Sequence, residues 1–581
     1  MERHARRPRP RLDRLSAALI AVLLGAFGLR VWGIGHGLPF SYNIDEEGHF
    51  VPVAIGFFGH GLDPRYFLNP PGYTELLYAV YAVWFGGREA VARAYVDNPS
   101  EVFLIARVTV ALLGTLWVWL VHLLGSRLFG DRRVGVLAAA LGAVAFLPVF
   151  YSHLALNDVP ALAPATLALV CAALVLQGSG RGGGIWWLLL GGLAVGLAAG
   201  TKYTAGIVLL PLLTAVALRT RAERQGVAHL LAAAALAAFA TLVGFLIANP
   251  HALLSYHDFR AGVGRQRELA GGDELAKLGL TEDNGIVYYL WAFTWGLGWI
   301  PALLALGGAV LACVKQRAVA LVLLPTVVVY LLYMGTQDRY FGRWLLPLFP
   351  IACVLAAWFL LWLVEQAARR WPRFATPLAV VAIALALGQG LIHVVHNDRV
   401  LSRPDTRGLA HDWMVANIPA GSPIVLEPIV PARWGEDPDR ANPATPTGQR
   451  WRLWDTTRAD VDDFGRALPG GATRFVKVDK YERTLRPALI DDYEQRGYCW
   501  VVIGSHQRDR AYAQPEQVPQ ALAYYDALAQ RGREVARFSP YRDGAKPPRF
   551  NFDWAFDYYP LAYERPGPEI VIYRLAGGEC S

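Results

Sequence analysis

Three consecutive carboxylates, Asp45, Glu46 and Glu47, lie within the stretch SYNIDEEGHF, shortly after an uncharged apolar segment. A carboxylate held next to a substrate can accept the proton of an attacking hydroxyl or amine, which is general base catalysis. The same residue types also begin helices, where the first caps the backbone and the next two favour the helix dipole. The acidic run is therefore either a candidate catalytic base or a helix start.

Three more ionisable groups stand at the ends of apolar segments. Asp158 precedes a Val-Pro pair, Lys202 and Tyr203 interrupt one apolar segment, and Arg339 precedes another. Cations bind phosphate oxygens, Arg through two parallel N–H groups and Lys as a point charge. A carboxylate base with cations for phosphate can displace a lipid-linked phosphate leaving group. Singly, Asp158 could also start a helix, and Lys202 or Arg339 could reach into lipid headgroups.

Composition indicates which elements position these groups. Of 581 residues, 54% are hydrophobic and only 18% are charged, which is unlike a soluble protein of several domains. Apolar runs long enough to span a bilayer as helices lie near residues 16–35, 102–125, 134–151, 159–177, 185–200, 204–219, 227–248, 286–313, 317–335, 344–364 and 375–396. The sequence predicts a polytopic α-helical membrane protein with about 11 transmembrane helices.

Basic residues indicate how the spans are oriented, because Lys and Arg concentrate in cytoplasmic loops. Residues 1–15 are Arg-rich and the following apolar run lacks a small-residue cleavage site, so we predict a basic cytoplasmic N-terminus and a retained first span. Each predicted inner loop is then basic: Arg127, Arg132 and Arg133; Arg181; Arg219, Arg221 and Arg224; Lys315 and Arg317; Arg369, Arg370 and Arg373. Only six Lys occur among 55 basic residues, which fits a GC-rich bacterial genome and a bacterial cytoplasmic membrane.

This topology places the candidate residues together on the outer face. The predicted transmembrane domain, residues 16–399, has two long outer loops, 36–100 and 249–285. The first can carry helices that lie along the membrane surface. The second either covers a substrate or connects two spans. Ionisable groups at a membrane edge are costly, so their convergence on one face indicates a functional site.

Residues 400–581 differ from the rest of the chain, because Pro, Asp and Arg rise and no spanning run occurs. Short apolar strands alternate with helical patterns, which predicts an extracytoplasmic α/β domain. Cys499 starts one predicted strand and Cys580 follows the last. An oxidising compartment permits a disulfide between them, although the sequence leaves this pairing open.

Motifs in a fixed order resemble a known family. The outer-loop Asp-Glu pair is followed by GHGLDP, PPGY, FYSHLALNDVPAL, GLAAGTKYTAG and DRYFGRWLLPLFP. This order is similar to the bacterial protein-O-mannosyltransferase-like branch of the GT-C glycosyltransferases, which also contains the aminoarabinose transferases. The resemblance covers about residues 16–400 and implies the GT-C fold. It also implies an inverting transfer of a hexose or pentose from a polyprenyl-phosphate donor to an acceptor outside the cytoplasmic membrane.

The resemblance also implies roles for single residues. Asp45 falls on the presumed base, with Glu46 beside it, and Asp158 falls on the second acidic position. Three residues fall on the phosphate contacts: Lys202, Tyr203 and Arg339. The basic residue that often precedes the Pro-Pro pair is Asn69 here, and Arg65 is a substitute for it.

Several alternatives stay open at this stage. A divalent cation could be held by the carboxylates with His49, although the spacing carries no strong ligand signature. The acceptor could be a glycan, a lipid-linked glycan or a protein; membrane lipids are expected partners and nucleic acid is not. A transporter or flippase of a polyprenyl-linked sugar would need similar cations. A non-catalytic, membrane-anchored glycan-binding protein is the remaining alternative.

Overall fold

The computed structural model describes residues 13–178, 183–271, 278, 284–550 and 559–580, with only the backbone of residue 183. The helices of the first 401 residues are α1 (Arg14–Val31), α2 (Val51–His60), α3 (Gly72–Phe85), α4 (Arg88–Asp97), α5 (Pro99–Phe129), α6 (Arg132–Val144), α7 (Phe146–Phe150), α8 (Leu162–Gln177), α9 (Gly183–Thr201), α10 (Leu209–Ala222), α11 (Val227–Ile247), α12 (His251–Leu254), α13 (Tyr256–Ala270), α14 (Gly285–Phe293), α15 (Trp299–Lys315), α16 (Arg317–Gly335), α17 (Phe349–Arg370) and α18 (Ala375–Leu401).

Helices of membrane-spanning length account for most of this region. Nine helical segments within the described residues are long and apolar enough to cross a bilayer. The bent pair formed by Arg132–Val144 and Phe146–His153 makes a tenth, and the shorter apolar helix Leu162–Gln177 lies where the remaining predicted span was expected. A lipid environment favours helices because they satisfy backbone hydrogen bonds internally. The predicted class of polytopic helical membrane protein is confirmed.

Two breaks between spans create the backbone positions that the site uses. The bend of 62° in the third span is followed by a short 3-10 helix, Tyr151–His153, and a buried loop that contains Asn157 and Asp158. Lys202 is the extended residue between α9 and the 3-10 helix Tyr203–Val208. Both breaks are protected by protein packing, which is where irregular backbone is tolerated at membrane depth.

Glycine allows α9 and α11 to pack closely from the middle of the two helices to their C-terminal ends. A Cβ atom at Gly200 would lie 2.7 Å from the Cβ of Ala248, and one at Gly192 would lie 2.7 Å from the carbonyl oxygen of Ala237. Small residues at such contacts let two membrane helices approach each other's backbone. The end of α11 is thereby held against the residues that lead into Lys202.

The C-terminal domain is an α/β unit, as predicted. Its helices are α19 (Thr406–Asn417), α20 (Ala488–Gln495), α21 (Ser505–Ala513) and α22 (Pro519–Arg531), and its strands are β1 (Pro423–Leu426), β2 (Arg452–Leu453), β3 (Arg458–Ala459), β4 (Arg474–Phe475), β5 (Trp500–Gly504), β6 (Arg533–Phe538) and β7 (Ile570–Arg574). The main sheet has the order β2-β1-β5-β7-β6. Strands β2, β1 and β5 are parallel, whereas β7 is antiparallel to both β5 and β6. Cys499 and Cys580 form a disulfide.

The C-terminal domain contacts the first outer loop next to the acidic run. The guanidinium of Arg407 lies 3.7 Å from the ring centroid of Tyr42. Arg433 donates a hydrogen bond of 2.7 Å to the carbonyl oxygen of Tyr95 at the end of α4. Cationic side chains over aromatic faces are favourable contacts, more so when desolvated. The domain is therefore packed against the segment that leads into Asp45.

A buried carboxyl in this domain makes its stability depend on pH. Glu427 is almost fully buried and accepts hydrogen bonds from the Tyr525 hydroxyl, 2.7 Å, and the Gly504 N–H, 2.8 Å. Burial raises the pKa of Glu427 to about 8, from 4.5. Between these two values the folded state holds a proton that the unfolded state has lost, so rising pH weakens folding.

We expect the free energy of unfolding of the full chain in detergent to fall as pH rises from about 5 to about 8, and to change little above that. Glu427→Gln, which keeps a neutral hydrogen-bonding side chain, should remove part of this slope. Burial also raises the pKa of Glu482, which remains in the variant and retains its own contribution. Denaturant unfolding across this pH range measures the effect, and identical slopes for the two proteins would contradict it.

Candidate active site

The three adjacent carboxylates of the acidic run point to three different environments. Asn43, and not Asp45, caps this segment, because its Oδ1 accepts from the backbone N–H groups of Asp45 and Glu46, both at 3.1 Å. Asp45 makes no side-chain cap bond and instead faces Arg343. The side chain of Glu46 is buried in the helical core. Burial raises the pKa of Glu47 to about 7, and the nearby Arg433 of the C-terminal domain opposes that rise.

Glu46 connects two loops of the site, and both of its carboxylate oxygens accept hydrogen bonds from protein groups. Its Oε1 and Oε2 accept from Arg107 at 2.7 and 2.8 Å. The Ala155 N–H donates to Oε1 at 2.7 Å, and the Ser41 hydroxyl donates to Oε2 at 2.9 Å. A buried ion pair of this kind is tolerable only when such additional hydrogen bonds are present. Through Ser41 and Ala155, Glu46 connects the loop that carries Asp45 to the loop that carries Asp158, and a catalytic role for Glu46 stays a prediction.

Asp158 and Lys202 form a buried ion pair through Oδ1 and Nζ. The neighbouring Asn157 donates its side-chain amide to the carbonyl oxygen of Thr201 at 2.8 Å. The loop before α8 and the break after α9 are thus connected at two successive residues of each. Neither the helix-start role of Asp158 nor the headgroup role of Lys202 describes these side chains, because they contact each other inside the protein.

Arg343 links the two carboxylates. Its Nη2 donates to Asp45 Oδ2 at 3.1 Å, and its Nε lies 3.8 Å from Asp158 Oδ2. Arg343 is the second residue of the 3-10 helix Gly342–Leu348, which follows α16 in the chain. Two carboxylates and two cations therefore lie in a continuous cluster at one end of the spans. We call Asp45, Asp158, Lys202 and Arg343 the charged cluster.

The remaining predicted site residues are distributed unevenly around the charged cluster. Arg339 stacks on Phe341, with Cζ 4.7 Å from the ring centroid, and Arg343 lies at the same distance from that ring. The Tyr203 hydroxyl donates to the carbonyl oxygen of Phe67 at 3.0 Å, which ties the break after α9 to the first outer loop. Arg65 has an exposed side chain, and no ion pair in the described part of the chain connects it to the charged cluster.

Sequence reasoning gave the phosphate contact to Arg339 rather than to Arg343, and it did not assign Arg107 to the site. Arg343 stands four residues after Arg339 in the motif DRYFGRWLLPLFP, so the motif itself carried the signal. Arg107 is a basic residue in the apolar helix α5, a position that is costly without a partner. That cost could have predicted that Arg107 forms an ion pair inside the protein.

No metal centre is evident among the residues that the structure describes. In those ranges, no group of three or more His, Cys, Asp or Glu side chains is arranged to hold a metal ion. The ring of His49 stacks on Tyr66, with the centroids 4.6 Å apart. A divalent cation stays a prediction.

Comparisons with known proteins agree with this architecture. Residues 70–254 match the family model for dolichyl-phosphate-mannose-protein mannosyltransferase. The apo oligosaccharyltransferase of Archaeoglobus fulgidus superposes with a TM-score of 0.51 at 12% identity, over 91% of this chain and 73% of that one. The chain therefore has the GT-C fold. None of the curated proteins matches the chain significantly.

Two other solved structures are also similar to this chain. ArnT from Cupriavidus metallidurans, bound to undecaprenyl phosphate, is 15% identical with a TM-score of 0.46, and 96% of this chain and 97% of that one are covered. The S. cerevisiae Pmt1-Pmt2 protein O-mannosyltransferase complex, bound to the sugar donor, is 16% identical with a TM-score of 0.34, over 47% and 39%.

The region matched by the family model contains only half of the charged cluster. Asp158 and Lys202 lie within residues 70–254, whereas Asp45 precedes them and Arg343 follows them. The ion pairs of Arg343 bring the outer parts of the chain to the matched region. The site is therefore assembled from four separate connections between helices.

Proposed function

We propose that this protein transfers a sugar from a polyprenyl-phosphate donor to an acceptor hydroxyl or amine at the outer face of a bacterial cytoplasmic membrane. The observation that carries the proposal is the charged cluster, in which a reachable carboxylate lies beside two cations. The family model, whose name specifies a lipid-phosphate-linked mannose donor, supports the donor class. The basic inner loops support the orientation, with the N-terminus in the cytoplasm.

Asp45 is the base because it is the carboxylate that an acceptor can reach. Its side chain is 35% exposed, whereas that of Asp158 is 4% exposed. In the proposed step Asp45 accepts the acceptor's proton while the acceptor atom forms a bond to the anomeric carbon. The bond between that carbon and the phosphate oxygen breaks, and its electron pair leaves with the lipid phosphate. Such a single displacement inverts the anomeric centre.

The cations of the site stabilise the departing phosphate. Lys202, Arg343 and Arg339 provide positive charge at the outer ends of the spans, where the lipid phosphate lies. Preorganised charge aimed at a developing anion is a large contribution to catalysis, since no reorganisation is needed during the reaction. Asp158 holds Lys202 and lies beside Arg343, so its role is to position the two cations.

Transfer from a panel of donors tests this function. Purified protein in liposomes would be incubated with undecaprenyl-phosphate mannose, undecaprenyl-phosphate glucose or undecaprenyl-phosphate arabinose. Extracts of bacterial envelope would provide the acceptors. We expect the labelled sugar to leave one of these lipids and to appear on an acceptor, with lipid phosphate released in equal amount. Movement of the intact labelled lipid between leaflets without its cleavage would identify a transporter and refute the proposal.

Replacement of Arg343 should weaken both donor binding and turnover. In Arg343→Met the departing phosphate loses a charged hydrogen-bond donor, worth about 1.5–3 kcal/mol, so we expect kcat/KM to fall by about 10- to 100-fold. Arg65→Met removes an exposed cation of the first outer loop and is the matched control. Initial rates at varied donor concentration measure both effects. An equal loss in the two variants would contradict the assignment of Arg343 and restore Arg65 as a phosphate contact.

A further inference from the structure

A fully buried amide two residues after the end of α11 lacks hydrogen-bond partners within the described residues. Asn249 follows α11, its side chain is 0% exposed, and neither Nδ2 nor Oδ1 has a hydrogen-bond partner within the described residues. Leaving a buried polar group unpaired costs about 1–3 kcal/mol. Native structures contain few such groups, and each calls for an explanation.

Local structure does not explain the Asn249 side chain. Its backbone carbonyl accepts from the Ala252 N–H at 3.1 Å, but its side chain does not cap α12, which follows it. Other asparagines near breaks in the fold are satisfied: Asn43 caps the acidic run, Asn157 bonds Thr201, and Asn284 caps α14. Asn249 is placed like these residues but has no comparable local bond.

The packing of α9 on α11 places the backbone that leads into Asn249 against the segment that leads into Lys202. A Cβ atom built on Gly200 would lie 3.6 Å from the carbonyl carbon of Ala248, the atom to which the nitrogen of Asn249 is bonded. Gly200 precedes Thr201, which bonds Asn157, and Lys202, which pairs with Asp158. Asn249 therefore lies one residue beyond the contact that leads into the charged cluster.

The hydrogen-bonding groups of the amide indicate which part of a lipid-linked sugar substrate could pair with them. Nδ2 requires an acceptor and Oδ1 requires a donor. A phosphate at neutral pH offers essentially acceptors, and a polyprenyl chain offers neither. A pair of neighbouring sugar hydroxyls offers both, because each hydroxyl donates and accepts.

We propose that Asn249 binds the sugar of the donor, with Nδ2 donating to one hydroxyl and Oδ1 accepting from its neighbour. This inference rests on the proposed function and names a sugar contact for that site. Asn249 is covered in the donor-free protein, so the contact forms when the residues that cover it move.

Equilibrium binding of two lipids separates a sugar contact from a phosphate contact and does not require turnover. The probes are undecaprenyl phosphate and undecaprenyl-phosphate mannose, with the glucose and arabinose lipids as further sugars. Purified wild-type protein, Asn249→Ala and Asn249→Leu would be compared in the same detergent. Asn417→Leu, at the exposed end of α19, is the matched control.

For both Asn249 variants we expect about tenfold weaker binding of the sugar lipid that the wild type binds best, the equivalent of two neutral hydrogen bonds. Binding of undecaprenyl phosphate should remain within about twofold of the wild type. Asn249→Leu should also unfold at the same or a higher temperature, because it removes an unpaired buried amide and keeps the volume. A structural role predicts the opposite change in unfolding temperature.

Two results would overturn the inference. If both lipids bind equally more weakly to the variants, Asn249 contacts the phosphate or supports the fold. If the binding of both lipids is unchanged, Asn249 is not part of the site. Failure of the proposed function is distinguishable, since it would appear as absence of sugar transfer by the wild-type protein itself. If the wild type binds all sugar lipids no better than undecaprenyl phosphate, the sugar contact is likewise refuted.

Discussion

Asp45→Asn should lower kcat for sugar transfer by about 10²- to 10⁴-fold, the range that a positioned general base contributes. Asparagine has the same shape and can still contact Arg343, but it cannot accept the proton of the acceptor. Because Asp45 is partly exposed and its ion pair lies at the rim of the site, the variant should fold and retain its affinity for the donor. Single-turnover measurements with saturating donor separate the chemical step from binding.

Glu47→Gln is the matched control for this loss. Glu47 stands two residues from Asp45 in the same acidic run but is directed toward the C-terminal domain, near Arg433. We expect its turnover at neutral pH to remain within about threefold of the wild type, because it has no role in proton transfer. Comparable losses in the two variants would show that the run acts as a unit, and full activity of Asp45→Asn would exclude Asp45 as the base.

Arg107→Met should strongly destabilise the protein. It leaves Glu46 as a fully buried carboxylate without its cation, and removing one partner of a buried pair costs about 3–5 kcal/mol. The loops that carry Asp45 and Asp158 depend on Glu46 through Ser41 and Ala155. We expect a lower unfolding temperature in detergent and a reduced yield of monodisperse protein.

A second substitution tests whether the charge of Glu46 causes this loss. In the double variant Glu46→Leu with Arg107→Met no buried charge remains, so part of the stability should return. Transfer activity should not return, because the leucine cannot bond the Ala155 N–H and the two loops are no longer connected. The pairwise coupling follows from a double-mutant cycle with the single variants. A double variant less stable than Arg107→Met would contradict the electrostatic explanation.

Two features of the charged cluster illustrate the limits of sequence reasoning. Arg339 and Arg343 occur in the same motif four residues apart, and only the folded chain shows that Arg343 contacts both carboxylates. Glu46 and Asp45 are adjacent and chemically alike. The carboxylate of Glu46 is buried and paired with Arg107, whereas that of Asp45 is partly exposed and paired with Arg343. Residue type predicts what a side chain can do, whereas its neighbours determine what it does.

The sequence by itself determined the spanning helices and the α/β character of the C-terminal domain, and it predicted one common face for the candidate residues. These depend on local hydropathy and on charge in the loops, because a bilayer requires long apolar helices and favours basic inner loops. The direction of each carboxylate, the pairing of Asp158 with Lys202 and the unpaired amide of Asn249 were decided only by tertiary structure. They depend on contacts between residues far apart in the chain, since helix packing selects which polar groups meet and which remain for a ligand.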